Sequence, residues 1–265
     1  MPDHSHEAPP PAPQLQEKTP NQGHRAKPDF GFDAPRVIWA LALFGVTLIL
    51  LGRFFPSVRI GPVILVLGQS AYIWGAAMCL GALSMVIYSK SGKFRQRDRM
   101  LAMINWSGGE TVLDVGTGRG LLMIGAAKKL GSGGNAVGID IWSAKDLSGN
   151  TPFATLRNAE LEGVRDRVEV ETGDASAMKF PDATFDVVLS NLCIHNIPGR
   201  AARDRACREI VRVLKPGGKA LICDFIRTGQ YVKAFQAAGA DAHRTGFMFA
   251  FMSPLRVVEV AKPTK

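Results

Sequence analysis

The sequence predicts an α/β domain on a mostly parallel sheet with one strand reversed, preceded by two transmembrane helices. Three observations predict it. Two long runs without a charged residue lie between Arg36 and Lys90. From Thr111 onward, short apolar strand signals alternate with helical ones, which implies a parallel sheet with helices on both faces. The last two apolar stretches have no helix between them, so one of their strands runs antiparallel.

Residues 1–35 are rich in Pro, His and Gln and hold almost no apolar run. Such a segment buries too little surface to offset its ordering entropy, and a disordered tail is expected. Its histidines, His4, His6 and His24, are too sparse for a metal site, and no metal is expected. Residues 36–89 read as a two-helix membrane hairpin. Sixteen uncharged residues separate Arg36 from Arg53 and 30 separate Arg59 from Lys90; a span needs about 20. The short first run is extended by Phe54 and Phe55, and its flanking arginines can snorkel. Trp39, Tyr72, Trp74 and Tyr88 are candidate interfacial aromatics. Ala71/Gly75 and Ala77/Gly81 have the small-xxx-small spacing that permits close helix packing.

Basic residues set the orientation. Arg25, Lys27 and Arg36 precede the first span, Lys90, Lys93, Arg95, Arg97 and Arg99 follow the second, and only Arg53 and Arg59 lie between. Both ends are therefore expected in the cytosol. The chain reads as an integral, multi-pass protein whose domain, residues 90–265, faces the cytoplasm. That domain holds 26 basic and 18 acidic residues, with five basic and one acidic in 90–99 alone. Such an excess beside a membrane suits anionic head groups. Nucleic acid is not expected as a partner, because no aromatic–basic interleaving is present. The four cysteines form no C-x-x-C pair and read as free buried thiols.

The domain's elements follow in order. "FRQRDRMLAMINW" is helical, with Phe94, Leu101 and Ile104 on one face. "TVLDV", "AVGID", "RVEVE" and "FDVVLSN" are strands one to four. Between them lie a helix closed by Gly131 and one capped by Thr151 or Asn150, with Pro152 early and Gly163 at its end. "PGRAARDRACREIVRVL" turns Ile210, Val211 and Leu214 inward. "GKALICDFI" is the fifth strand and "YVKAFQAAG" a helix. "GFMFAF" and "PLRVVEVAK" form the closing hairpin around Ser253–Pro254.

Open parallel sheets bind ligands beyond the carboxyl ends of their strands, so the strand ends are where function is expected. After strand one, Gly116, Gly118 and Gly120 give G-x-G-x-G, with Leu121 where a dinucleotide fingerprint needs its third glycine. Asp114 sits two residues before Gly116, where it would repel a phosphate and welcome a cation. S-adenosylmethionine carries a sulfonium and an ammonium and has no phosphate. Asp140 ends strand two, where a carboxylate can accept both ribose hydroxyls. Asp174 follows strand three; it can accept from an adenine amino group while the Ala175 NH donates to a ring nitrogen. Thr117 and Ile141 complete the expected cofactor-binding set with Asn191.

On these pieces the domain resembles the class I S-adenosylmethionine-dependent methyltransferases. The matching segments are "VLDVGTGRG", "GID", "GDASAMKFPDATFDVVLSNLCIHNI" and "RVLKPGGKALICDF", within roughly residues 95–262. The resemblance implies a seven-stranded Rossmann-like sheet with its last strand reversed. It implies cofactor roles for Gly116, Gly118, Asp140, Asp174 and Asn191. Two segments are similar, loosely, to the ubiquinone/menaquinone-biosynthesis and small-molecule or lipid methyltransferases. The N-P-P-Y signature of adenine-N6 and glutamine methyltransferases is missing, and "SNLC" stands there. The loop "WSAKDLSGN" is longer than usual; either Trp142 stacks near adenine or the loop is a lid.

Methyl transfer needs a base only if the acceptor carries a proton at neutral pH. His195, after strand four, is the candidate catalytic residue. Asp224 is a weaker candidate, Tyr231 a possible pocket residue and His243 structural. The resemblance implies that the N-terminal helix of the domain, here about residues 94–106 and directly after the hairpin, packs near the acceptor pocket. The acceptor is therefore expected to be an apolar or amphiphilic small molecule or lipid: a quinone precursor, a lipid amine or an isoprenoid. The alternatives are a membrane-anchored methyltransferase of a soluble metabolite or protein, and a non-catalytic cofactor-binding membrane protein.

Overall fold

The computed structural model describes residues 26–246, 248–250 and 253–264. His4, His6, His24 and most of the expected tail lie outside the described residues. Helix α1 runs over Pro35–Phe54, a hairpin of β1 (Ser57–Ile60) and β2 (Val63–Val66) follows, and α2 covers Gly68–Ile87. Strand β1 falls in what was read as the connecting loop around Arg59, and β2 in the second apolar run. Both helices are long and apolar enough to cross a membrane, and only 11% and 17% of their most apolar windows are buried. A core helix of a soluble domain would show the opposite.

Close approach holds α1 to α2. A β-carbon on Gly75 would lie 2.7 Å from the Gly45 carbonyl oxygen and 2.7 Å from Ile49 Cγ1. Ala71 packs on Gly52 in the same way, whereas a β-carbon on Gly81 would meet nothing closer than 3.8 Å. The first small-residue pair thus forms the crossing, while Gly81 leaves it open.

Helix α2 passes without a break through a π-helical turn, Tyr88–Gly92, into α3, Lys93–Leu101. The remaining elements are β3 (Thr111–Val115), α4 (Leu121–Ala127), β4 (Asn135–Asp140), α5 (Pro152–Leu161), β5 (Val168–Thr172), β6 (Phe185–Asn191), α6 (Arg200–Val213), β7 (Leu214–Asp224), α7 (Thr228–Ala237), β8 (Asp241–Arg244), β9 (Met248–Ala250) and β10 (Ser253–Ala261). Thr151 caps α5, its hydroxyl accepting from Ala154 N at 3.2 Å, with Pro152 in the first turn.

Seven strands lie in the order β5-β4-β3-β6-β7-β10-β8. Neighbours are parallel from β5 to β7, and β10 runs antiparallel to both β7 and β8. Short β9 pairs only with the start of β10. The strand that completes the sheet is therefore β8, "DAHR", and not "GFMFAF". At the edge, only Ala242 of that strand is buried, so it carries no apolar alternation to be read. Helices α3, α4 and α5 cover one face of the sheet, and α6 and α7 the other.

Two expectations fail here. Residues 29–34, placed in the tail, form a strap on the domain: Phe30 is only 5% exposed. "DFGF" is an apolar island in a polar segment, and burying it against Phe94 offsets the ordering of a few residues. The basic stretch is also not uniformly free for a membrane, since Lys93 is buried beneath that strap.

Candidate functional site

Strand order reverses between β3 and β6, and the parallel register aligns their carboxyl ends. Val115 sits opposite Ile139, Asp140 opposite Thr172 and Asn191 opposite Cys223. The loops leaving β3, β4, β5 and β6 enclose a cavity of about 500 Å³. That volume lies within the range of small-molecule sites, about 300–1,000 Å³.

The turn after β3 takes left-handed φ at Gly116, Gly118 and Gly120 (72°, 55° and 87°). Glycine is needed for a further reason: a β-carbon on Gly116 would lie 2.3 Å from Cys193 Sγ. Gly116 N and Thr117 N donate to Ile139 O at 2.8 and 3.0 Å, which ties the turn to β4. Gly120 does not line the cavity. It precedes α4, and its missing side chain makes room for Ile124 and Thr155.

Asp114 lines the cavity but is 2% exposed. Its Oδ2 accepts from Thr117 Oγ1 and from Met123 N, both at 2.9 Å. Burial pushes its carboxyl up to about 7, offset in part by these two donors. It therefore braces the turn from inside, a role the sequence did not suggest. Asp140 accepts Gly118 N at 2.8 Å, Trp142 N at 2.6 Å and Asn150 Nδ2 at 3.2 Å. Trp142 takes a left-handed φ of 59° and turns its indole NH outward to Thr172 Oγ1 at 2.8 Å. It does not line the cavity. Asp174 accepts Ser176 N at 2.7 Å, and Ala175 is buried beside it. Asn191 Oδ1 is buried without a hydrogen-bond partner. The next residue, Leu192, has φ 53°, a conformation that costs energy in a non-glycine residue and clusters at functional sites.

Beyond the cavity lies a second cluster. Asp224 Oδ1 is 2.9 Å from His195 Nδ1, and Asp224 Oδ2 accepts from His195 N at 3.2 Å and from Tyr231 Oη at 3.1 Å. Tyr231 is fully buried, and burial raises its hydroxyl, so it anchors the carboxylate and does not face a pocket. Phe225 packs edge-on against the imidazole at 4.8 Å. His243 lies at the exposed far edge, near Glu259. The four cysteines are free; Cys207 and Cys223 are buried, Cys79 and Cys193 partly so.

The strap closes the cavity from above and supplies residues that the sequence did not mark. Phe30, Asp33 and Lys93 line it together with Leu147 of the long loop. Phe32 N donates to Ser148 Oγ at 2.8 Å, Ser148 N to Phe32 O at 3.1 Å and Ala34 N to Asp146 O at 2.7 Å. The loop 142–150 and the strap are thus hydrogen-bonded to each other, and both line the cavity. Asp29 and Asp33 flanking "FGF" were the only sequence signal.

With this geometry in place, comparison with known proteins agrees. Residues 113–222 match a family model described as a methyltransferase domain. A sterol 4-C-methyltransferase of Caenorhabditis elegans is 36% identical over 121 residues, 46% of this chain and 33% of that protein. The chloroplastic 2-phytyl-1,4-beta-naphthoquinone methyltransferase of Arabidopsis thaliana is 34% identical over 135 residues, 50% of this chain and 49% of that protein. The chain thus spans between a third and a half of the length of these relatives. A crystal structure of an S-adenosylmethionine-dependent methyltransferase from Aquifex aeolicus superposes with TM-score 0.51 at 21% identity, covering 62% of this chain and 88% of that one; it shares the fold.

Proposed function

We propose that the part of the chain that follows the helical hairpin is a class I S-adenosylmethionine-dependent methyltransferase domain, a reading supported by the family model and the relatives it resembles, and that it methylates an apolar or amphiphilic acceptor at a membrane. One observation carries this reading. The cavity that gathers Asp114, Asp140, Asp174 and Asn191 is roofed by chain segments that begin and end the apolar hairpin. When bound, S-adenosylmethionine supplies a methyl group already activated on a sulfonium. The donor set fits such a cation, with carboxylates at three strand ends and an orphaned amide oxygen.

In this reading the turn 116–118 and Asp114 hold the amino-acid end, Asp140 the ribose and Asp174 with Ala175 the adenine. Ile141 is 68% exposed beside them and offers an apolar surface to the base. His195 is the base for an acceptor that carries a proton. Asp224 accepts its Nδ1–H, which leaves Nε2 free to take that proton.

The membrane placement rests on the hairpin. Trp39, Leu43, Phe44, Ile73 and Trp74 are each at least 63% exposed, which suits lipid and not water. Basic residues at both ends of the hairpin favour a cytosolic domain. Two relatives are named for a sterol and a phytyl-naphthoquinone, both apolar acceptors.

The test uses labelled cofactor and a membrane extract. Label entering the organic phase is expected, and Asp140→Ala should abolish both cofactor binding and transfer. Label confined to precipitated protein would sink the lipid-acceptor reading.

A further inference from the structure

Beside its cationic groups, S-adenosylmethionine carries a carboxylate at its amino-acid end. The acids that suit the cations repel that group. Asp33, Asp114, Asp140, Asp146 and Asp174 all line the cavity, so a ligand carboxylate there needs a cation set against it. Three basic residues line the same cavity: Lys93, Arg119 and Arg205.

Two of them are engaged or lie elsewhere. Lys93 Nζ has three N–H donors, directed at Phe30 O, Gly31 O and Asp33 Oδ2 at 2.7, 2.6 and 3.4 Å. Arg205 stands on α6, which covers the opposite face of the sheet from α4. The amino-acid end is assigned to the turn that opens α4. Arg119 lies in that turn, between Gly118 and Gly120.

Its side chain is held in place but only partly used. Arg119 O accepts from Asn158 Nδ2 at 2.9 Å, which fixes its backbone. The side chain then runs between the strap and the loop 142–150. A β-carbon on Gly31 would lie 3.1 Å from Arg119 Cδ, and one on Gly149 2.9 Å from Nη1. The side chain is 15% exposed. Among the described residues it finds partners only at Nη1, which lies 3.2 Å from Asp29 Oδ2 and donates to Ser148 O at 3.3 Å. Nε is buried and has none. Nε and Nη2 form one edge of the guanidinium, and such an edge takes a carboxylate through two parallel hydrogen bonds.

We propose that Arg119 binds the carboxylate of the cofactor's amino-acid end through Nε and Nη2, while Nη1 keeps the strap and the loop. This rests on the methyltransferase reading above and names the residue that receives the one charge the strand-end acids reject. It makes the site selective. A thioether nucleoside that lacks the carboxylate leaves the guanidinium edge unpaired and binds less tightly.

The test is calorimetric titration of the full-length protein in detergent micelles with two probes. These are S-adenosylhomocysteine and its decarboxylated analogue, which keeps the ammonium. Wild type should prefer S-adenosylhomocysteine by about tenfold or more, as a charge-assisted pair requires. Arg119→Gln should bring the two probes within about threefold of each other, because residue and carboxylate are coupled, and should change the analogue's own affinity little. Arg119→Lys, which keeps the charge without the two-pronged edge, should recover part of the preference. Asp29→Asn breaks the ion pair from the strap's side and keeps the Oδ1 that accepts Gly31 N at 3.0 Å; its preference should equal that of wild type. If Arg119 only ties down the strap, Arg119→Gln weakens both probes by one common factor and Asp29→Asn follows it, which overturns the inference. A wild type that binds both probes equally overturns it without any variant and leaves the methyltransferase reading intact. A wild type that binds neither probe removes that reading, and this inference with it.

Discussion

Lys93 Nζ donates to the carbonyl oxygens of Phe30 and Gly31, at 2.7 and 2.6 Å. The chain just before the first apolar helix is thereby fastened to the chain just after the second. Asp33 Oδ2 adds a third acceptor at 3.4 Å. The two ends of the hairpin thus meet at the strap that lines the cavity.

Lys93→Met should therefore release the strap. It leaves two carbonyl oxygens without their buried donor, and each loss of this kind costs about 1–3 kcal/mol. Amide hydrogen exchange over residues 29–34 should speed up by at least tenfold, and S-adenosylhomocysteine should dissociate faster. Phe30→Ala should act in the same direction by removing the apolar anchor. Unchanged exchange in both variants would show that the strap is held by the 146–148 loop alone.

Asp114 predicts a pH effect whose sign can be worked out. Burial raises its folded-state carboxyl to about 7 from an ordinary value near 4. Between those values the folded cofactor-free protein holds a proton that the unfolded chain has lost. This contribution is fully present below pH 4 and is lost as pH rises to 7. A cationic ligand favours the carboxylate, so cofactor affinity should rise with pH up to about 7 and then level off, by at most about tenfold per unit. Asp114→Asn keeps an oxygen for Thr117 and Met123 and should flatten both curves. Calorimetric titration of cofactor from pH 5 to 8 measures the affinity, and thermal melts of the free protein the stability.

The His195–Asp224 contact of 2.9 Å predicts a catalytic loss without a binding loss. His195→Ala should lower single-turnover methyl transfer by about 10²–10⁴ if the acceptor must lose a proton, with S-adenosylhomocysteine affinity unchanged. Asp224→Asn should do the same and also lower the melting temperature, because the buried Tyr231 hydroxyl loses its carboxylate partner. A wild-type rate in His195→Ala would assign the imidazole to packing against Phe225.

Much of this was legible because the sheet's interior writes itself in apolar runs. The strands of the parallel part, the Thr151 cap and the acids after successive strands all follow local rules. The edge strand "DAHR" did not, because one buried alanine leaves no period to detect. The strap did not either. Its fold depends on Lys93, sixty-three residues from Phe30, and no local pattern announces a partner so distant. Asp114 was found as a residue of the cavity, but its bracing of the turn was not: a carboxylate's charge is visible in sequence, whereas the two donors that turn it inward are not. Tyr88 looked like an interfacial anchor because its place between lipid and domain was inferred from hydropathy alone; it opens the π-helical turn between α2 and α3, and its hydroxyl oxygen is buried.

The crossing of α1 and α2 gives the last prediction. Gly75 has no room for a side chain, with the Gly45 carbonyl oxygen and Ile49 Cγ1 both 2.7 Å from where a β-carbon would stand. Gly75→Leu must therefore push the helices apart, at a cost of about 1–3 kcal/mol or more. The cavity residues lie on the sheet and keep their own packing, so S-adenosylhomocysteine should still bind. The geometry joining hairpin to strap would be disturbed, and with it delivery of an amphiphilic acceptor. Transfer to the lipid extract should drop several-fold while cofactor affinity holds within about threefold. Gly81→Leu is the matched control, since a β-carbon there meets only Leu41 at 3.8 Å; its activity should stay near wild type. Equal behaviour of the two variants, measured side by side in the same detergent, would mean that the crossing does not govern delivery to the site.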